Sequence, residues 1–238
     1  MDKKFQQYTK PWIKTETLYA KKKRAARVFS ILKKTYPGAR MILNYSNNIQ
    51  LLVAVVLSAQ CTDKKVNEVT AVLFKKYKTV KDFANARQSV LEKEIYQTGF
   101  YRAKAKNIIG AAKKLEKDFG GKLPRTMAEA LTLPGVARKT GNIILGNAYG
   151  IVEGMAVDTH VSRISQRLGL TPLYRSVAGQ AKEPNPIEIE KDLMELFPKS
   201  EWFKLTYRII EHGRTICTAP KPKCELCPLN NICPSSLV

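Results

Sequence analysis

A chain of 238 residues can bury one sizeable core or two smaller ones. Lys and Arg number 41 against 20 Asp and Glu, a formal net charge of +21 that works against compaction and that solubility alone does not require. The economical partner is therefore acidic, and nucleic acid comes before a membrane, because the longest apolar run, Leu51 to Ala59, is too short to span a bilayer.

Met1–Lys10 has no apolar signal core, so the chain reads as soluble and intracellular, where five cysteines should not pair as disulfides. Residues 1–16 are polar and basic and read as a tail. A basic helix starts near Thr17, turns Val28, Phe29 and Leu32 inward, and is stopped by Pro37-Gly38. Leu51–Ala59, apolar all round, predicts a helix buried on every side. Val66, Val69, Val72, Leu73 and Tyr77 keep helical spacing. So do Ile108, Ile109, Ala112, Leu115 and Phe119, ending at the cap Gly120-Gly121. Thr126 and Glu129 spell a capping box. Leu133-Pro134-Gly135-Val136 then breaks the chain, and Ile143, Ile144, Asn147 and Ala148 share the face of a following helix. After Gly150, helical segments lie near 159–168, 187–197 and 201–212, and Thr171–Pro186 is the clearest internal loop. No strand-like alternation persists, so the fold class is all-α.

Cys217, Cys224, Cys227 and Cys233 are separated by six, two and five residues. Four thiolates in so short a segment can surround one metal centre, and spacing alone leaves zinc and iron–sulfur equal. Four prolines and no periodic apolar face mean that Cys217–Pro234 cannot form a packed core by itself. Lys221 and Lys223, between prolines, suit a basic finger aimed at phosphates. Cys61 reads as an ordinary buried thiol. His160 and His212 are too few and too far apart for a metal pair.

The Pro-Gly turn at Leu133–Val136 lies between two helices, and free backbone N–H groups at the start of the second could clamp a phosphate without reading a base. A mere connector is the alternative, and Arg138 and Lys139 tilt the balance towards DNA. Lys139 falls in the first turn of that helix, whose dipole opposes a cation there, as a nucleophilic amine requires. One phosphate-contacting lysine among many is the plainer reading. Asp158, between Met155-Ala156-Val157 and the helix near Thr159, is a natural N-cap, and it could equally stabilise positive charge on a sugar. Glu153 has no special spacing.

Together these residues resemble the endonuclease III family of helix–hairpin–helix glycosylases from about Leu51 to Cys233. The landmarks are Leu57–Asp63, Gly99–Tyr101, Leu133–Thr140, Val157–Val161, His212–Arg214 and the four cysteines, whose spacing equals the family's cluster spacing. The resemblance implies a six-helix barrel over 41–152, beside a domain of 1–40 with 153–238 that carries a 4Fe–4S cluster on Cys217, Cys224, Cys227 and Cys233, with DNA between them. It implies a monomeric bifunctional DNA glycosylase and abasic-site lyase that acts on damaged pyrimidines in duplex DNA. Lys139 would be the Schiff-base nucleophile and Asp158 the catalytic carboxylate. Gln60 would fill the gap left by the extruded nucleotide, with Phe100 as the wedge where leucine is frequent. Leu133, Gly135, Val136 and Arg138 would form the hairpin contact, and Lys221 and Lys223 would meet phosphates. Gly141 stands where many members have alanine, the loop at 174–186 is longer than in compact members, and the N-terminal tail is an extension. Two rivals remain, a monofunctional mismatch glycosylase, whose kind typically lacks the lysine, and a DNA-binding module stapled by zinc.

Overall fold

A computed structural model describes residues 8–173 and 185–238. Most of the loop singled out at 174–186, and the first seven residues of the tail, lie outside the described residues. In chain order the helices are α1 (Leu18–Thr35), α2 (Asn48–Leu57), α3 (Asp63–Lys76), α4 (Val80–Ala84), α5 (Gln88–Glu94) and α6 (Tyr101–Phe119). There follow α7 (Met127–Ala130), α8 (Arg138–Tyr149), α9 (Thr159–Arg167), α10 (Pro186–Leu196) and α11 (Trp202–Thr215), and no strand occurs among the described residues. None of these helices is long and apolar enough to cross a membrane.

The chain divides into two compact units, Met41–Glu153 and Met1–Arg40 with Gly154–Val238. In the first, α2 is the central element, with Ile49 through Leu57 all buried, as its unbroken apolar sequence requires. It packs against α3, α6 and α8, while α6 also covers α4 and α5. Local sequence sets the helix ends. Asn47, Thr62 and Thr79 accept backbone N–H bonds at the starts of α2, α3 and α4, and Gly120 ends α6 in the left-handed conformation. The box at Thr126 is half made. Its hydroxyl accepts the Glu129 N–H at 3.3 Å, but the Glu129 carboxylate bonds that hydroxyl instead of the Thr126 N–H. Glu153, which sequence spacing left without a role, accepts the Met127 N–H at 3.2 Å and so belongs to this unit. Val72 departs from its expected inward face and is 71 % exposed, because its position on α3 lies on the side away from the neighbours that bury Val66, Val69 and Leu73.

In the second unit α11 packs on α1 and α9, and α10 on α9 and α1. Residues 8–16 are not a tail. The N–H groups of Thr9 and Lys10 donate to the carbonyl of Pro234 at 2.8 and 3.0 Å, and the Thr9 hydroxyl reaches Ser236. Glu16 and Arg24 form a buried two-point ion pair at 2.7 Å, and Arg24 also donates to the carbonyls of Leu168 and Gly169. The N-terminal segment is thus held by the end of the chain, a pairing too distant in sequence for any local pattern to show.

Candidate functional site

The Met41–Glu153 unit carries the hairpin. The N–H of Val136 donates to the Leu133 carbonyl at 3.1 Å, closing a turn whose third residue, Gly135, has φ +79°. A side chain is excluded there on two counts, since the left-handed backbone is strained for any other residue and a Cβ would lie 2.9 Å from that of Asn107 on α6. Pro134 sits over Gly110 of the same helix. Leu133 and Val136 are 3 % and 7 % exposed, so their side chains anchor the turn in the core and only their backbone is left to meet a phosphate.

The N-cap of α8, Ala137, provides no side-chain cap hydrogen bond. Arg138 is half-buried in that turn, and Lys139, next to it, is exposed. The glycine at 141 has a local cause, because a Cβ there would lie 2.6 Å from Sδ of Met127. That buried thioether occupies the space an alanine would need.

Gln60 and Phe100 share a feature that sequence reasoning did not anticipate. They are the non-glycine residues with positive φ among those described, at 53° and 48°. Such a conformation costs about 1–2 kcal/mol per residue and persists where surrounding structure enforces it. Both are exposed, Phe100 by 66 % despite its apolar ring. An exposed aromatic held in a strained backbone is suited to contact something outside the chain. Cys61, next in line, is half-buried against the core edge and not deeply buried as expected, because the α2–α3 turn lifts it to the surface.

Asp158 belongs to the other unit. It is the N-cap of α9, its Oδ1 accepting the Val161 N–H at 2.8 Å, and it follows the buried run Met155–Val157. Beyond it α9 carries a pair of arginines that sequence reasoning passed over. Arg163 donates to the carbonyls of Gly213 and Cys217, and Arg167 to those of Thr218 and Ala219 and, at 3.3 Å, to Sγ of Cys217. Their four-residue spacing, which sets both on one face of the helix, was the available signal.

Cys217, Cys224, Cys227 and Cys233 all line one cavity, with Arg167, His212, Ser235 and Ser236. Among the described residues no three His, Cys, Asp or Glu side chains converge closely enough to share one metal ion. Burial pushes the thiols of Cys227 and Cys233 up to about 11 and about 12, and holds His212, 3.7 Å from Cys227, down to about 4. The Ser235 hydroxyl, bordering the cavity, is buried without a hydrogen-bond partner. Lys221 and Lys223 are exposed on the loop between the first two cysteines, whose shape is fixed by Thr218 donating to the Lys221 carbonyl at 2.6 Å.

The model of the HhH-GPD superfamily of base excision DNA repair proteins matches residues 53–199. Endonuclease III of Synechocystis sp. is 50 % identical over 217 residues, which cover 91 % of this chain and 94 % of that protein. The chain belongs to the endonuclease III family. Endonuclease III of Bacillus subtilis is 44 % identical over 198 residues, 83 % of this chain and 86 % of its own length. A solved structure of a trapped endonuclease III–DNA covalent intermediate superimposes with a TM-score of 0.83 at 40 % identity, over 90 % of this chain and 96 % of that one. A thermostable thymine-DNA glycosylase, at 22 % identity and a TM-score of 0.75, shares the fold. As a member of the endonuclease III family the chain is a DNA glycosylase of base excision repair.

Proposed function

We propose that the protein excises damaged pyrimidines from duplex DNA and then cleaves the strand at the resulting abasic site through a Schiff base on Lys139. The observation that carries this reading is the exposed lysine in the first turn of the uncapped helix α8, directly behind a Pro-Gly turn. The N-terminal end of such a helix suits a phosphate, which would set the sugar beside the amine. The likeness to a covalent endonuclease III–DNA intermediate supports it further.

In this mechanism the unprotonated Lys139 amine attacks C1′ of the extruded nucleotide, and the base departs with the electrons of the glycosidic bond. The Asp158 carboxylate, with Oδ1 fixed by the cap bond, offsets positive charge on the sugar. The adduct loses a proton from the amine and the C1′–O4′ bond opens, O4′ keeping the electron pair and taking up a proton, which leaves an iminium on Lys139. This acidifies the C2′ proton, and its loss expels the 3′ phosphate by β-elimination. Phe100 and Gln60 occupy the gap left in the duplex, and Lys221 and Lys223 meet phosphates.

The four cysteines fit a 4Fe–4S cluster. Thiols raised by burial ionise when a metal replaces the proton, and the Arg167 guanidinium beside Cys217 compensates the thiolate charge. All four line one cavity, as four thiolate ligands of one cluster require. When bound, the cluster supplies the cross-links that fold Cys217–Cys233.

Borohydride trapping on a duplex oligonucleotide holding one oxidised pyrimidine tests the reading. The protein should form a covalent adduct, and Lys139→Ala should form none while its DNA affinity changes by less than about threefold, as expected for one phosphate contact among several. Undiminished trapping by the variant would remove Lys139 from the chemistry.

A further inference from the structure

The α2–α3 turn that carries Gln60 and the turn that carries Phe100 are far apart in sequence, yet one side chain bonds to both. Lys104, in the first turn of α6, is 4 % exposed. Its Nζ donates to the carbonyl of Leu57 at 2.8 Å and to the carbonyl of Thr98 at 2.8 Å. Leu57 is the last residue of α2, three ahead of Gln60, and Thr98 is two ahead of Phe100. A second, more exposed lysine, Lys65 in the first turn of α3, donates to the Gln97 side chain at 3.1 Å.

We propose that Lys104 is the positioning residue that sets Gln60 and Phe100 as a pair, at the spacing and in the left-handed conformations needed to enter the duplex together. This rests on the roles given to those two residues under the proposed function. A buried ammonium is costly, and burial pulls the Lys104 pKa down, with Cys61 working in the opposite sense. An apolar side chain of equal length would fill the space without that cost. What it could not do is donate to two carbonyls at once, each near the end of a short strained segment. The fully buried Thr98 adds stiffness, its hydroxyl donating to the Ile95 carbonyl at 2.8 Å. The strain at Gln60 and Phe100 is thus opposed by bonds on the residues just ahead of them, and the shared donor makes the two turns one body.

Positioning of this kind matters only where a nucleotide has to be pushed out of a stacked duplex. The test is a ratio measured on one protein preparation. Wild type and Lys104→Met are compared for single-turnover release of an oxidised pyrimidine from duplex DNA, and for cleavage of a single-stranded oligonucleotide holding one abasic site. Lys117→Met, which removes an equal charge from the far end of α6, controls for general loss of attraction to DNA. The expected result is a tenfold or greater loss on the duplex lesion, with less than a twofold loss on the single strand and no change of ratio in the control. A fluorescent base opposite the lesion should report slower extrusion in the variant. Equal losses on both substrates, or no loss on either, would overturn the role given to Lys104. If wild type cleaves neither substrate, the proposed function itself fails and the inference with it. Should Lys104→Met not fold, Lys104→Gln, a donor on a shorter stem, is read in the same ratio.

Discussion

Replacing Asp158 with asparagine separates the cap seen at the start of α9 from the catalytic charge proposed for the same side chain. The structural job is capping. Oδ1 accepts the Val161 N–H at 2.8 Å and so satisfies one of the open donors of α9. Asparagine keeps that oxygen and caps equally well, whereas alanine loses it at a cost of about 1 kcal/mol. For a chain of this size that lowers the melting temperature by about 2–4 °C in the alanine variant. Asp158→Asn should stay within about 1 °C of wild type, well inside that shift. The proposed chemical job is charge. Asparagine has none, so a positive sugar loses its counter-ion, and base release should slow on the order of a hundredfold, about 2.7 kcal/mol of barrier. The assay pairs thermal melting with single-turnover release from a duplex holding one oxidised pyrimidine. An asparagine variant with unchanged melting that releases base at the wild-type rate would leave Asp158 a cap and nothing more. One that melts as early as the alanine variant would show that the cap geometry had been misjudged.

Two further outcomes follow from the packing of the unit that holds the cysteines. Cys227→Ser should yield a colourless, poorly soluble protein, because Cys217–Cys233 has little apolar surface to fold on; an absorption band of normal strength with normal solubility would remove Cys227 from the ligand set. Gly213→Ala should destabilise by about 1–2 kcal/mol in chemical denaturation. The new Cβ would fall 2.7 Å from Nδ1 of His160 and 2.8 Å from Cδ1 of Ile164, so crowding exceeds the gain in helix propensity, and a stabilised variant would mean that α9 and α11 approach less closely.

Local sequence determined the helices, because their signals lie within a few residues of one another. The apolar run of α2, the Pro-Gly turn before α8, the Thr17 and Asp158 caps and the Gly120 stop each need only neighbours along the chain. The candidate site was legible in a different way. Lys139 and the four cysteines stand in compact motifs, but spacing alone left zinc and iron–sulfur equal and Lys139 one lysine among many, and only the family resemblance supplied the proposed roles.

What tertiary structure alone decided is where distant segments meet. The polar residues 8–16 looked like a tail because the carbonyl of Pro234, which accepts the N–H bonds of Thr9 and Lys10, lies at the other end of the chain. Val72 kept the helical rhythm yet faces solvent, since rhythm defines a face but not the width of the neighbour that covers it. The reason for a glycine at 213 appears only when α9 is brought against α11. Lys104 is one lysine among many in a strongly basic chain. Its burial and its two carbonyl partners arise only when the end of α2 and the turn before Phe100 are folded to the same place, for a side chain's environment belongs to the fold and not to its neighbours in sequence.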